Sequence, residues 1–168
     1  MNAAATHAPT HTNRAQSHSP PPPPRPAPAD RWYDAQGTSP QWSFGHGLSY
    51  STFTYSALSV PGTLTPSAGV TISATVCNTA GPAGAEVAQL YLGFPAAANA
   101  PPKQLKGFQK LALGPNECGG VGFPIAAADL WTWDVVAQTW VLNPGTYTVS
   151  VGSSSRDIRL TGSLVVTA

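Results

Sequence analysis

The chain has 168 residues, of which 42% are hydrophobic and 9% are charged. Eight Lys and Arg residues oppose seven Asp and Glu residues, so the formal charge is +1 and no basic stripe is available for a phosphate backbone. Nucleic acid and membranes are therefore not expected as partners, since no apolar run approaches the roughly eighteen residues that a bilayer span requires.

Residues 1–30 are predicted to be a disordered leader. They are rich in Ala, Thr, His and Ser, and residues 20–24 form an uninterrupted proline run. Such a tract favours the extended polyproline conformation and offers no apolar face to bury. The first nineteen residues contain three histidines but no apolar core, so no secretory signal is expected and the compartment stays open.

The most specific pattern is RWYDAQGTSPQWSFGHGLSYSTF at residues 31–53. It resembles the signature near the C-terminus of glycoside hydrolase family 3, the β-glucosidase and β-xylosidase family, in which a YD-x-x-G-x-x-P run leads into FGYGLSY-T-F. His46 stands where that family usually has Tyr. The resemblance extends to the end of the chain through EVAQLYL at 86–92, PKQLKGF at 102–108 and GTYTVSVGSS at 145–154.

In that family these motifs belong to a fibronectin type III-like domain that follows a catalytic barrel and an α/β sandwich. The resemblance implies that residues 54–168 form this domain and that residues 31–53 are a linker resembling the end of the α/β sandwich. It also implies that the catalytic domains are the partners and are missing from this chain. A real truncation and an error in gene prediction both explain such a join, and the parent's sugar specificity stays open.

Beyond the linker, short β-type segments alternate with Gly, Pro and Asn breaks, which is typical of an antiparallel sandwich. We predict seven strands, near residues 53–60, 69–78, 85–93, 104–112, 119–125, 145–152 and 158–166. This number fits an all-β, immunoglobulin-like or fibronectin type III-like sandwich. No long helix is expected, only one helical turn over 126–130, in which Asp129 comes too late to act as the cap. The predicted core contributors are Val87, Leu90 or Tyr91, Leu92, Phe108, Leu111, Phe123, Tyr147, Val149, Val151, Leu164 and Val166.

The two cysteines, Cys77 and Cys118, have no spacing motif that reveals a redox compartment. Alternation along residues 70–77 places Val70, Ile72, Ala74 and Val76 on one face and Cys77 on the opposite one. We therefore predict that Cys77 forms no disulfide within the core; free thiols are favoured, but one disulfide between the two cysteines stays open.

No catalytic residue, cofactor or metal site is predicted. Glycoside hydrolysis needs two carboxyl groups about 5 to 10 Å apart, and none of the seven carboxylates lies in a motif like the family's nucleophile or acid/base regions. His46 is predicted to sit in a tightly packed loop between two glycines. The remaining histidines lie in the leader, where no set of three or four zinc ligands is apparent. The seven carboxylates are Asp30, Asp34, Glu86, Glu117, Asp129, Asp134 and Asp157.

Two groups of residues are candidates for binding. The resemblance implies contact with neighbouring domains through Phe44, His46, Leu48, Tyr50, Phe53, Lys103 and Lys106. For Lys103, Lys106 and Lys110, a solvated edge that deters sheet aggregation explains the charges equally well. Trp131, Trp133 and Trp140 could stack on a sugar ring or pack structurally at a sandwich edge.

The sequence thus predicts a non-catalytic accessory and stabilising domain of a β-glucosidase-like enzyme. The alternative is a free-standing module that binds a polysaccharide or a protein.

Overall fold

A computed structural model describes residues 29–64 and 69–167. Nearly all of the predicted disordered leader, residues 1–28, lies outside this part. Within it, no helix has the length and apolar character required to cross a membrane.

One short helix and ten strands follow in chain order. They are α1 (Ala29–Ala35), β1 (Thr52–Ser59), β2 (Thr63–Leu64), β3 (Val70–Ala80), β4 (Gly84–Gly93), β5 (Gln104–Leu113), β6 (Cys118–Ile125), β7 (Trp131–Asp134), β8 (Thr139–Leu142), β9 (Gly145–Gly152) and β10 (Ile158–Val166). Two short 3₁₀ turns, Ala96–Ala98 and Ala127–Leu130, complete the described elements. All seven predicted strands are present, with ends that agree to within two residues.

Two sheets pack face to face. The first has the order β1-β3-β6 and the second the order β2-β10-β9-β4-β5, while β7 and β8 form a separate two-stranded hairpin. Neighbouring strands are antiparallel except for the short parallel contact of β2 with β10. The all-β sandwich is confirmed.

The core lies between the inner faces of the two sheets. Along β3, Ile72, Ala74 and Val76 are buried, and they alternate with side chains that face outward. Because opposite faces of a strand alternate, this pattern leaves one apolar and one polar face. The facing sheet contributes a matching buried set, which includes Leu90, Leu92, Tyr147, Val149, Val151, Leu164 and Val166.

Two predicted core residues lie outside the core. Phe108 is 70% exposed and Val87 is 37% exposed. Phe108 is three positions from Leu111, so the two side chains face opposite sides of β5, and Leu111 is the one that packs against the core. Val87 precedes the inward-facing Ala88 on β4 and points outward for the same reason.

The prediction of free thiols is wrong. Cys77 and Cys118 form a disulfide, and they are direct partners in the antiparallel register of β3 and β6, with Cα atoms 4.0 Å apart. This pairing depends on how two distant strands align, which cysteine spacing does not reveal. The bond lies on the outer face of the three-stranded sheet, so the exclusion of Cys77 from the core is confirmed.

The prediction that Asp129 comes too late in its helical turn to cap it is also wrong. The backbone N–H of Ala126 donates to Asp129 Oδ2 at 2.9 Å. A carboxylate at the third position of a turn can reach back in this way to the free donor that precedes the turn.

Candidate interdomain contact site

Residues 36–51 connect α1 to β1, and we call them the strap. The strap lies against the outer face of the five-stranded sheet. The backbone N–H of Ser155 donates to the carbonyl oxygen of Phe44 at 2.8 Å, and Gln89 Nε2 donates to that of Gly45 at 3.1 Å. Gln89 faces outward from β4 yet is only 4% exposed, so the strap covers this part of the sheet.

An ionic cluster fixes the helix that precedes the strap. Asp34 Oδ2 lies 3.2 Å from Lys103 Nζ, and Asp34 Oδ1 lies 2.9 Å from Arg156 Nε. Arg156 also donates to the carbonyl oxygen of Thr38 at 2.8 Å. The side chain of Asp34 is only 13% exposed, so two cations compensate one mostly enclosed carboxylate. Lys103, predicted as an interdomain contact, is therefore engaged within the chain.

The strap exposes a row of large apolar side chains. Leu48 is 89% exposed and Tyr50 is 97% exposed. Phe44 is 47% exposed, and Trp42 stacks on His46 with ring centroids 5.0 Å apart. Four of the predicted contact residues, Phe44, His46, Leu48 and Tyr50, are thus brought together on one surface segment.

Phe53 was predicted to belong to the contact site, and the structure corrects this. It lies on β1 and is only 6% exposed within the hydrophobic core. The β1 strand begins at Thr52, so alternation turns Phe53 inward, where it packs between the sheets.

Sequence reasoning missed part of the exposed surface. Leu48 of the strap and Val87 and Lys110 of the sheet line one groove of about 280 Å³. Phe108 pairs with Gln89 in the β4–β5 register, which places it on the same outer face. Side chains alternate between the two faces of β5, so Phe108 lies on the same face as the charged residue Lys110. This sequence signal could have identified Phe108 as exposed. We call Trp42, Phe44, Leu48, Tyr50, Val87 and Phe108 the contact surface.

Lys106 lies at a β-bulge on the edge strand β5. The register pairs Leu90 with Gly107 and Tyr91 with Leu105, so Lys106 is the extra residue. Its Nζ is 5.5 Å from the centroid of the Phe94 ring, and burial lowers its pKa. A bulge and a lysine both discourage pairing with another sheet edge, so edge protection and interdomain contact remain alternative roles.

The carboxylates have local structural partners. Asp134 Oδ1 accepts hydrogen bonds from the backbone N–H groups of Ala137 and Val136, and these bonds lower the Asp134 pKa. Asp157 pairs with Arg159, which lowers the Asp157 pKa. Glu86 accepts from Tyr55, Glu117 from Gly114 and Asp129 from Ala126, while Asp34 belongs to the ionic cluster. Within residues 29–64 and 69–167, no group of three His, Cys, Asp or Glu side chains is placed to hold a metal ion.

The three predicted stacking tryptophans share one face of the hairpin. Trp133 pairs with Trp140 and Trp131 pairs with Leu142, so alternation places all three indoles on the same side. The ring centroids of Trp133 and Trp140 are 5.6 Å apart, and their planes meet at 72°. The three side chains are 43% to 59% exposed.

Comparison with known proteins identifies this architecture. Residues 86–155 match the family described as "Fibronectin type III-like domain". The chain is 46% identical over 153 residues to probable β-glucosidase L of Emericella nidulans, and 45% identical over 144 residues to β-glucosidase cel3A of Pyricularia oryzae. These alignments cover 81% and 80% of this chain but 21% and 18% of the relatives.

Solved structures agree with these matches. The β-D-glucoside glucohydrolase of Trichoderma reesei superposes with a TM-score of 0.76 at 42% identity, over 82% of this chain and 22% of that one. β-Glucosidase 3B of Thermotoga neapolitana superposes equally well at 38% identity, over 82% of this chain and 19% of its own. The chain thus spans about a fifth of the length of its relatives.

The sandwich is a fibronectin type III-like domain. More particularly, the chain corresponds to the C-terminal region of glycoside hydrolase family 3 β-glucosidases, and this assignment confirms the resemblance found in its sequence.

Proposed function

We propose that the chain is a non-catalytic accessory domain that packs against the catalytic domains of a family 3 β-glucosidase and stabilises them. Those domains carry out the reaction, the hydrolysis of terminal β-D-glucosyl or related residues. The observation that carries this proposal is the contact surface. It is an exposed apolar region, and the strap that supplies most of its side chains is hydrogen-bonded to the sandwich.

The size of the contact surface supports a protein partner. An aromatic side chain buries about 150–250 Å² when it is fully covered. Trp42, Phe44, Tyr50 and Phe108 are each 47% to 97% exposed. Together with Leu48 they expose several hundred Å² of apolar area along the strap and the outer face of β5, and exposed apolar area of this scale is typical of interaction sites.

The ionic cluster gives this surface a defined shape. Asp34, Arg156 and Lys103 join α1 to the β9–β10 loop and to the start of β5. A loop fixed at several points loses less conformational freedom when a partner binds, so more of the burial energy is available for association. The strap is therefore pre-organised for docking.

A chimera tests the proposal. In the Trichoderma reesei enzyme, the region aligned with this chain is replaced by this chain, and a second protein has that region deleted. We expect the chimera to unfold at a higher temperature than the deletion and to retain more aryl β-glucosidase activity after heating. Equal thermal stability of the two proteins would contradict the proposal.

Matched surface variants sharpen this test. Leu48→Asp places a charge in the contact surface, whereas Val136→Asp places one at the hairpin turn, and the two side chains are 89% and 90% exposed. We expect only Leu48→Asp to remove the stabilisation in the chimera. Neither change should alter the unfolding temperature of the isolated chain by more than a few degrees.

A further inference from the structure

We propose that the tryptophan face of the β7–β8 hairpin is a docking site for a polyproline helix, and that its occupant is the proline tract of this chain's own leader. The proline tract comprises residues 20–26, PPPPPRP. It lies outside the described residues. The hairpin face shares no residue with the contact surface, so the inference is independent of the proposed accessory function.

The docking face consists of indole rings. The register pairs Trp133 with Trp140, and alternation adds Trp131 to the same face, whereas Thr132 and Val141 face the opposite side. The three tryptophans are 43% to 59% exposed. About half of each indole is therefore open to a ligand on one face of the hairpin.

The rings form a notch and not a flat platform. The centroids of Trp133 and Trp140 are 5.6 Å apart, and the ring planes meet at 72°. Surfaces lined by aromatic rings are those that dock polyproline segments, because the ridges of that helix fit between the rings.

The indoles also supply hydrogen-bond donors. None of the described residues accepts a hydrogen bond from the Nε1–H group of Trp133 or Trp140. A polyproline helix has no internal hydrogen bonds, so its carbonyl oxygens are free to accept. Ring contacts and available N–H donors together favour a polyproline ligand over a purely hydrocarbon one.

The chain carries a ligand of this kind. Five consecutive prolines are followed by Arg25 and Pro26, so Pro20, Pro23 and Pro26 recur at every third position. A polyproline helix has three residues per turn, which places these three rings on one edge. Because proline fixes φ, such a tract loses little conformational freedom when it docks.

The leader joins the described residues on the side where the hairpin begins. It leads into α1, which contains Arg31, and Asp129 lies two positions before Trp131. Burial lowers the pKa of Lys106, Asp129 opposes this shift and Arg31 adds to it, so both charges act on the same ammonium group. Charges at the surface interact strongly only within about 10 Å at physiological salt. The start of α1 is therefore near the base of β7.

The tract is long enough to reach the tryptophans. Its five consecutive prolines lie five to nine residues before Ala29, which is about 16 to 28 Å from the start of α1 at about 3.1 Å per residue. A strand of four residues, such as β7 or β8, is only about 13 Å long. The tract can therefore lie along the whole hairpin.

The charges of the two segments are complementary. Residues 1–28 contain Arg14 and Arg25 and no Asp or Glu. Residues 131–142 contain Asp134 and no Lys or Arg. A cationic leader is therefore attracted to the hairpin, whereas a proline-rich segment with acidic flanks would be repelled.

A peptide with the sequence of residues 17–30 tests the proposal by titration calorimetry. In the serine variant, a full chain in which the five prolines at 20–24 are replaced by Ser, the hairpin is open to this peptide. We expect a dissociation constant on the order of 0.1 mM, as for a ligand with few aromatic anchors. The wild type should bind the peptide about tenfold more weakly, because its own tract competes at an effective concentration of about 1 mM.

Matched variants separate the hairpin from other aromatic surface. In the serine variant, Trp133→Ala and Trp140→Ala should each weaken peptide binding about tenfold. Trp42→Ala is the control, because Trp42 is 65% exposed but belongs to the strap. Circular dichroism identifies folded variants. If Trp133→Ala unfolds, Trp133→Phe removes the indole N–H and should still weaken binding.

A second control replaces residues 3–7 by Ser and leaves the proline tract intact, so it should bind the peptide as weakly as the wild type. The docking site is refuted if the serine variant does not bind the peptide, or if the hairpin variants and Trp42→Ala bind it equally well. Equal binding by the wild type and the serine variant would show that the tract does not occupy its own hairpin. A wild-type dimer in sedimentation velocity that is lost in the serine variant would instead assign the face to the leader of a second copy.

Discussion

Gln89 and Gly45 meet where the strap lies on the sheet. Gly45 has φ = +79°, a backbone conformation that costs an L-residue roughly 1–2 kcal/mol. A Cβ atom at Gly45 would approach within 2.7 Å of Gln89 Cδ. Gln89 cannot move away freely, because its amide donates to the carbonyl oxygens of Gly45 and Ser153.

Gly45→Ala should therefore lower the free energy of unfolding by about 1–3 kcal/mol, from backbone strain and the displaced amide. Gly47→Ala is the control, since a Cβ atom there meets nothing within 4 Å. Urea denaturation followed by tryptophan fluorescence measures both variants. Equal stability of the two would show that Gln89 does not restrain the strap.

Tyr147 gives a pH-dependent prediction. Its hydroxyl lies 2.8 Å from the carbonyl oxygen of Asn143 and 3.2 Å from that of Leu130, so the single O–H is shared between these two acceptors, and burial raises the Tyr147 pKa to about 12. Tyr147→Phe should lower the free energy of unfolding by about 1–3 kcal/mol at pH 7, because the carbonyl oxygens of Leu130 and Asn143 lose the donor that they share.

This difference should narrow as the pH rises from 10 towards 12. In that range Tyr147 ionises in the unfolded chain before it ionises in the folded one, which lowers the free energy of unfolding of the wild type. The Tyr147→Phe variant has no hydroxyl to ionise at this position, so it does not undergo this loss. Tyr50→Phe, at a side chain that is 97% exposed, is the control. A Tyr147→Phe difference that stays constant between pH 7 and pH 12 would refute the linkage.

At the scale of single elements, the disulfide ties β3 to β6 across a sequence separation of 41 residues. A cross-link of this span restricts the unfolded chain and stabilises the folded one by about 2–4 kcal/mol. The double variant Cys77→Ser with Cys118→Ser should lose that amount in urea denaturation. A reductant should destabilise the wild type and leave the variant unchanged, and an equal response of both proteins would exclude the bond.

The strands that build the two sheets follow directly from the sequence. Residues such as Ile72, Ala74 and Val76 alternate with polar residues, and Gly, Pro and Asn separate the segments. The β7–β8 hairpin was missed because each strand has only four residues and neither has a buried face. Such a pair is specified by its cross-strand partners, here Trp133 with Trp140.

The contact surface was only partly predictable for a related reason. Family motifs identified Leu48 and Tyr50, which are exposed, but also Phe53, which strand alternation buries. The cluster of Asp34 with Arg156 joins chain segments more than a hundred residues apart, and no local pattern signals such a pair. Sequence therefore locates candidate residues, while the fold decides which ones face a partner.

At the scale of the whole molecule, the proposed non-catalytic role makes a prediction about the carboxylates. A glycosidase positions an acid and a nucleophile or base about 5 to 10 Å apart on either side of a sugar. The six carboxylates with described side chains instead serve separate turns, strand contacts and ion pairs. Each already accepts a hydrogen bond or pairs with a cation in a contact that holds local structure.

The purified chain should therefore show no turnover of p-nitrophenyl β-D-glucoside or β-D-xyloside, whereas the chimera should hydrolyse the glucoside under the same conditions. If hydrolytic activity co-purifies with the chain and its rate decreases when one carboxylate of the chain is substituted, the prediction is contradicted. Glu86→Gln is the most informative variant, because Glu86 lies in the groove beside Leu48 and accepts a hydrogen bond from Tyr55 at 2.6 Å. Activity that Glu86→Gln and the other carboxylate variants leave unchanged would instead come from a contaminating enzyme, since hydrolysis by this fold would require at least one of these groups.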